Sequence, residues 1–160
     1  MKIRVLAATA LAACSLVSPL IYAADTPGSN PSVPAPSVND RISNARKAID
    51  AKDWNRAMSE LNIAVREQPR NADAHNLLAY SYRKRATPDL VKAFEHYGTA
   101  LKLDPRHKGA HEYIGEAYLM DKKPAEAEKH LAQLEAICGN RTCEEYQDLA
   151  KSIAEYKAKN

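Results

Sequence analysis

An internal repeat of 36 residues constrains this chain more than any other feature. His75, Leu78, Ala79 and Tyr82 recur as His111, Ile114, Gly115 and Tyr118. Downstream, Ala57, Leu61, Ala64 and Pro69 recur at the same shift as Ala93, Tyr97, Ala100 and Pro105. A third copy of the second set reads Ala127, Leu131 and Leu134, with Gly139 where the proline would fall. Within each set the apolar residues fall three or four apart, the period of one helix face. From Asn39 onward no Pro-Gly-rich strand punctuation interrupts that spacing. The expectation is an all-α stack of helix pairs.

These residues resemble the tetratricopeptide repeat family, which pairs two antiparallel helices in about 34 residues. The resemblance implies a right-handed superhelix of about three helix pairs over residues 39–139, closed by a C-terminal capping helix over 140–160. Small residues at Ala79 and Gly115 are expected where the two helices of a pair cross, with Tyr82 and Tyr118 filling the space beside them. Ala57, Ala93 and Ala127 serve the second helices, which Pro69 and Pro105 end. The first repeat is degenerate, with Asn44, Ala45 and Ala48 in the places of Leu78, Ala79 and Tyr82. Its second helix opens on Trp54, with Asp53 as its cap. The second repeat carries two extra residues around Arg85–Pro88, so that Thr87 would cap and Pro88 start the next helix. In the last segment Thr142-x-x-Glu145 reads as a capping box, and Tyr146, Leu149, Ala150, Ile153 and Tyr156 form one apolar face.

The first 23 residues read as a secretory signal: Lys2 and Arg4, then an apolar run from Val5 to Ala24 ending in small residues. Cleavage after Ala23 is favoured. The competing reading is a lipoprotein, since Leu11-Ala12-Ala13-Cys14 resembles a lipobox whose cysteine is lipidated. Residues 24–38 hold Pro27, Pro31, Pro34 and Pro36 among Ser, Gly and Asn, which describes an extended leader. The expected location is therefore periplasmic or secreted, or the outer membrane if Cys14 carries lipid.

Two of the 23 basic residues belong to the signal, leaving 21 against 20 acidic ones. A nearly neutral domain has no electrostatic case for nucleic acid. No phosphate-binding glycine loop or Gly-x-Ser-x-Gly elbow occurs, and no nucleophile, base and orienter assemble. The expectation is neither an enzyme nor a cofactor or metal protein. His107 and His111, four apart, could share a helix face as zinc ligands do, but no H-E-x-x-H is present and the bland reading is a coincidental pair. His96 and His130 have no partner in the sequence pattern.

Cys138 and Cys143 bracket a tight turn around Gly139, and after export the pair reads as a structural disulfide. Closing so short a loop contributes about 2 kcal/mol in the chain-entropy picture. A redox-active pair fits less well, because thioredoxin-like sites space their cysteines by two residues. The segment Ile137–Tyr146 resembles the tails of small exported bacterial tetratricopeptide proteins.

The resemblance also places a partner-binding groove on the first helices. Ile42, Arg46 and Ile49, then Asn76, Tyr80 and Arg83, then Glu112, Glu116 and Leu119 share a spacing of four then three. They form a stripe separate from the packing residues. Arg46, Asn76, Tyr80 and Arg83 offer donors and a ring; Glu112 and Glu116 give the far end the opposite charge. A mixed-charge solvated face is the competing reading. Chaperone-binding members of the family grip a terminal carboxylate with basic and asparagine side chains. The matching positions here are Ile42, Arg46, Leu77, Gly109 and Tyr113, of which only Arg46 is basic, so that clamp is not expected. The expected partner is a protein or peptide of the cell envelope.

Overall fold

The computed structural model describes residues 34–160. The expected signal with its cleavage site and Cys14, and most of the leader, lie outside the described residues. Seven helices follow one another: α1 Val38–Asp50, α2 Trp54–Glu67, α3 Ala72–Lys84, α4 Leu90–Leu103, α5 Lys108–Met120, α6 Pro124–Cys138 and α7 Glu144–Lys159. No strand occurs among the described residues, and none of their helices is long and apolar enough to cross a membrane. Helices α1 and α2, α3 and α4, and α5 and α6 form three hairpins. Each first helix also packs on the next first helix, and α7 continues that row against α5.

Local chemistry sets the boundaries. Ser37 and Asp40 form a reciprocal capping box, so α1 takes in Val38, which is buried. Asp53 caps α2 as expected, and Asn71 caps α3. Gly139 ends α6 in the left-handed conformation, φ 72°.

Two expected caps are corrected. Helix α4 begins at Leu90 behind Asp89, whose side chain accepts the Lys92 amide, so Thr87 and Pro88 stay in the loop. A carboxylate one residue past the proline is the stronger cap. At α7 the N-cap is Cys143, with no side-chain cap bond. Thr142 instead donates its hydroxyl to Asn140, and Glu145 pairs with Lys108 at 3.2 Å. The turn's own hydrogen bonds outcompete the capping box there.

All three intra-hairpin turns share one hydrogen bond: Asp53 N–H to Ala48 O, Asp89 N–H to Tyr82 O, and Lys123 N–H to Tyr118 O, at 2.8, 3.0 and 2.8 Å. The middle turn spans two residues more than the others, and the loop after α3 absorbs them. The short turns need a left-handed residue, and Lys52 and Lys122 supply it at φ 57° and 58°. A side chain there carries a cost of about 1 kcal/mol that glycine avoids. Lys122→Gly is expected to raise stability by about 0.5–1 kcal/mol, read as a shifted urea midpoint at unchanged slope.

Small residues let the helices approach. Ala45, Ala57, Ala79, Ala93, Ala117 and Ala127 have no exposed surface, while Leu61, Leu78, Tyr97, Leu134 and Leu149 fill the spaces between them. Ala79 packs with Ala93 and Tyr97 of its own pair and with Ile114 and Ala117 of the next. Gly115 has a use beyond its expected one. A Cβ there would stand 2.6 Å from Leu149 Cδ2 and 2.7 Å from Cδ1, so its small size serves the contact with α7. The Cys138 and Cys143 sulfurs lie at bonding distance, 2.09 Å, across the turn into α7.

Candidate functional site

The predicted stripe runs along the row of first helices, but most of its members are spent on packing. Ile42 packs into the core formed by α1, α2 and α3. Asn76, Arg83 and Glu112 are buried, and Leu119 belongs to the core beneath α7. Arg46, Ile49 and Tyr80 remain at a surface. With Asp50, Leu77 and Tyr113 they line an open cleft of about 390 Å³. Asp50, Leu77 and Tyr113 were missed as groove residues, although Leu77 and Tyr113 match positions of the family's peptide clamp.

Aromatic rings form the floor of this cleft. Tyr80 stands 4.8 Å from Tyr113 and 6.3 Å from Trp54, centroid to centroid. Burial raises both phenols above their ordinary value, Tyr113 to about 12, so both stay neutral donors. Beneath them lies Arg83, 5 % exposed, with its guanidinium 5.3 Å from the Tyr80 ring and 5.7 Å from the Tyr113 ring. It donates to Tyr97 Oη at 3.3 Å and pairs with Glu116 Oε2 at 2.6 Å. Burial opposes its charge, but Tyr97 and Glu116 outweigh burial and hold the pKa above its usual value. Arg83 thus stiffens the cleft floor and offers no free charge to a partner. At the cleft's edge Arg46 is loosely paired with Asp73 at 3.9 Å, both exposed.

Glu112 and Glu116 line a second, acidic pocket with Asp148, Lys151, Ser152 and Glu155. Four of these come from α7, outside the predicted groove, yet the signal was present. Asp148, Ser152 and Glu155 are Glu112, Glu116 and Leu119 shifted by 36, so α7 carries a fourth rung of the stripe. Burial pushes the Glu112 carboxyl up to about 8, helped by the negative charges of Glu116, Asp148 and Glu145.

The histidines make a repeated device that spacing within one helix could not reveal. His75 Nδ1 meets His96 Nδ1 at 3.0 Å, and His111 Nδ1 meets His130 Nδ1 at 2.9 Å. His75 Nε2 reaches the Pro69 carbonyl and His111 Nε2 the Pro105 carbonyl, each at 3.1 Å. A carbonyl only accepts, so each Nε2 carries the proton and each facing Nδ1 must receive one from His96 or His130. Tyr82 stacks on His96 and Tyr118 on His130. His107 does not join this arrangement: it caps α5 and bonds Asp73 at 3.0 Å, so His107 and His111 do not converge.

Burial and the facing histidine lower the pKa of His96, and that of His130 to about 4. The unfolded chain then binds more protons between about 4 and the ordinary 6.5. The stability His130 contributes is complete above pH 6.5 and lost as pH falls toward 4, by about 1–2 kcal/mol after allowance for partial exposure, and His96 acts in the same direction. His96→Phe/His130→Phe is expected to flatten this slope in thermal melts across that window.

The profile of the tetratricopeptide repeat family matches residues 43–97 and 89–141. No curated protein matches the chain. Among solved structures, the TPR2B domain of yeast Sti1 in complex with an Hsp70 peptide is similar at TM-score 0.68 and 14 % identity, covering 77 % of this chain and 98 % of that one. The first TPR of Spaghetti (RPAP3), bound to the HSP90 peptide SRMEEVD, is similar at 0.66 and 16 %, covering 81 % and 99 %. The type III secretion translocator chaperone SycD of Yersinia enterocolitica is similar at 0.66 and 14 %, covering 80 % and 97 %. Identities this low speak for the fold. The two profile matches together span most of the described helices, and the chain belongs to the tetratricopeptide repeat family.

Proposed function

We propose that this protein is a non-enzymatic interaction module of the bacterial cell envelope, holding an extended segment of a partner protein along its first-helix face. The observation that carries the reading is the open cleft of Arg46, Ile49, Asp50, Leu77, Tyr80 and Tyr113, with neutral tyrosines as floor and one exposed arginine at the edge. Similar folds in Sti1 and RPAP3 hold peptides of Hsp70 and HSP90. The cleft here offers tyrosine rings and a single guanidinium where a carboxylate clamp needs several donors. The partner segment is therefore one that stacks and packs, and not a terminal carboxylate.

Envelope placement rests on the basic, apolar and small-residue order of the first 23 residues. Export also suits a Cys138–Cys143 disulfide, which would pin α7. The lipobox-like Leu11-Ala12-Ala13-Cys14 favours a lipid-tethered scaffold as the second reading. The mass of the mature protein separates the two. An unmodified chain starting at Ala24 supports the soluble module; a chain starting at a lipidated Cys14 supports the tether.

Affinity capture from envelope extract tests the cleft. Arg46→Ala/Tyr80→Ala, with unchanged circular dichroism, is expected to lose the partner that the wild type retains. Equal recovery from both would remove the cleft from the binding function.

A further inference from the structure

The acidic pocket between α5 and α7 has a composition that packing does not explain. Glu112 is 8 % exposed, and among the described residues no hydrogen bond holds its carboxyl, which burial and like charges dominate while Arg83 draws on it only weakly. A mostly buried carboxyl without a hydrogen-bond partner favours its neutral form and gives up its proton most readily to an incoming cation. It lines the pocket, of about 250 Å³, with Glu116, Asp148, Ser152 and Glu155, and one exposed lysine, Lys151.

The surrounding charges leave this site short of positive charge. Glu116 is already satisfied by Arg83 Nη2 at 2.6 Å and by the Ser152 hydroxyl at 3.2 Å. Lys108 at the start of α5 is paired with Glu145 of α7. Arg83 and Lys108 are thus committed elsewhere, and Lys151 is the pocket's one lining cation against Glu112, Asp148 and Glu155.

The repeat register explains the shortage. One rung earlier, Arg83 supplies a guanidinium that sits against Tyr80 and Tyr113 and bonds Glu116. Its equivalent in the next repeat is Leu119, which is buried in the core with Leu149 and Ile153. No internal guanidinium therefore serves the α5–α7 rung.

We propose that this pocket receives one arginine side chain of the partner segment, whose guanidinium supplies from outside the charge that Arg83 supplies internally one rung earlier. Proximity to the cleft supports this, because Tyr113, next to Glu112, lines the cleft. A metal ion fits less well. The only three described residues whose ligand atoms could close on one ion are Cys138, Cys143 and Glu145, so the pocket's carboxylates are too far apart. A planar fork with several N–H donors spans such a spacing where a point charge does not. The inference rests on the partner-binding reading above, but its test needs no partner.

The test is a titration of the full chain, followed by amide chemical shifts, with acetyl-Ala-Arg-Ala-amide. The same peptide carrying citrulline is the neutral isostere. The arginine peptide is expected to give saturable shifts at Glu112, Asp148 and Ser152, with citrulline about tenfold weaker or worse. Affinity should rise about tenfold from pH 7 to pH 9 as Glu112, whose carboxyl is pushed up to about 8, loses its proton among the facing groups Arg83, Lys108, Glu116, Glu145, Asp148, Lys151 and Glu155. Glu112→Gln should abolish that rise without lowering the melting temperature. Equal shifts with citrulline, no saturation, or saturable shifts confined to the Arg46–Tyr80 cleft would each overturn the proposal. Loss of partner capture in Arg46→Ala/Tyr80→Ala bears on the cleft alone, so the two readings fail separately.

Discussion

Arg83→Met is expected to lower the unfolding free energy by about 3 kcal/mol, the cost of removing one partner from a buried ion pair. The guanidinium is the shared donor for Tyr97 and Glu116, and both tyrosine rings of the cleft rest on it. Without it Glu116 keeps only the Ser152 hydroxyl, and the Tyr97 hydroxyl, in a fully buried side chain, loses its one donor. The companion Arg83→Met/Glu116→Gln should recover at least half of the loss, because the stranded charge is gone. Chemical denaturation at pH 7 reads both. A single variant within about 0.5 kcal/mol of wild type would mean that the ion pair is structurally idle.

Gly115→Val is expected to cost about 2–3 kcal/mol through overpacking. The added Cβ alone overlaps Leu149, whose Cγ stands 3.3 Å away as well, so rotating the leucine cannot clear the space. Leu149 is fully buried and anchors α7 in the core with Leu134 and Ile153. The strain should therefore fall on α7. Amide exchange is expected to quicken across α7 while α1 to α4 keep their protection, since each repeat contacts only its neighbours. Uniform loss of protection along the chain would contradict that division.

Much of the fold was legible because the repeat enforces it. Leu61, Tyr97 and Leu131 fall at one position of three second helices, and the structure buries the first two completely and packs Leu131 partly buried against the core of its own hairpin. The misjudged positions are those where two local chemistries compete. At Thr87–Asp89 a proline suggested the helix start, yet the carboxylate one residue on makes the cap. At Thr142 the hydroxyl had a nearer acceptor in Asn140.

The site was legible only in part. A spacing of four then three identifies a helix face but not what covers it. The next first helix covers Asn76 and Glu112, and the tyrosine rings cover Arg83. The histidine pairs escaped because their members stand on different helices, 21 and 19 residues apart. The register that relates His96 to His130 was the available signal. The same register, extended by 36 residues, would have turned α7 from a cap into a further rung.

We propose that the first-helix face, and not the outer face, holds the partner. Site-specific photocrosslinking in the intact envelope tests it most directly, with benzoylphenylalanine at Tyr80 and, as the outer-face control, at Val91, which is 79 % exposed on α4. One discrete adduct is expected from Tyr80, weakened in the Arg46→Ala background, and none from Val91. The same adduct from both positions, or from Val91 alone, would contradict it.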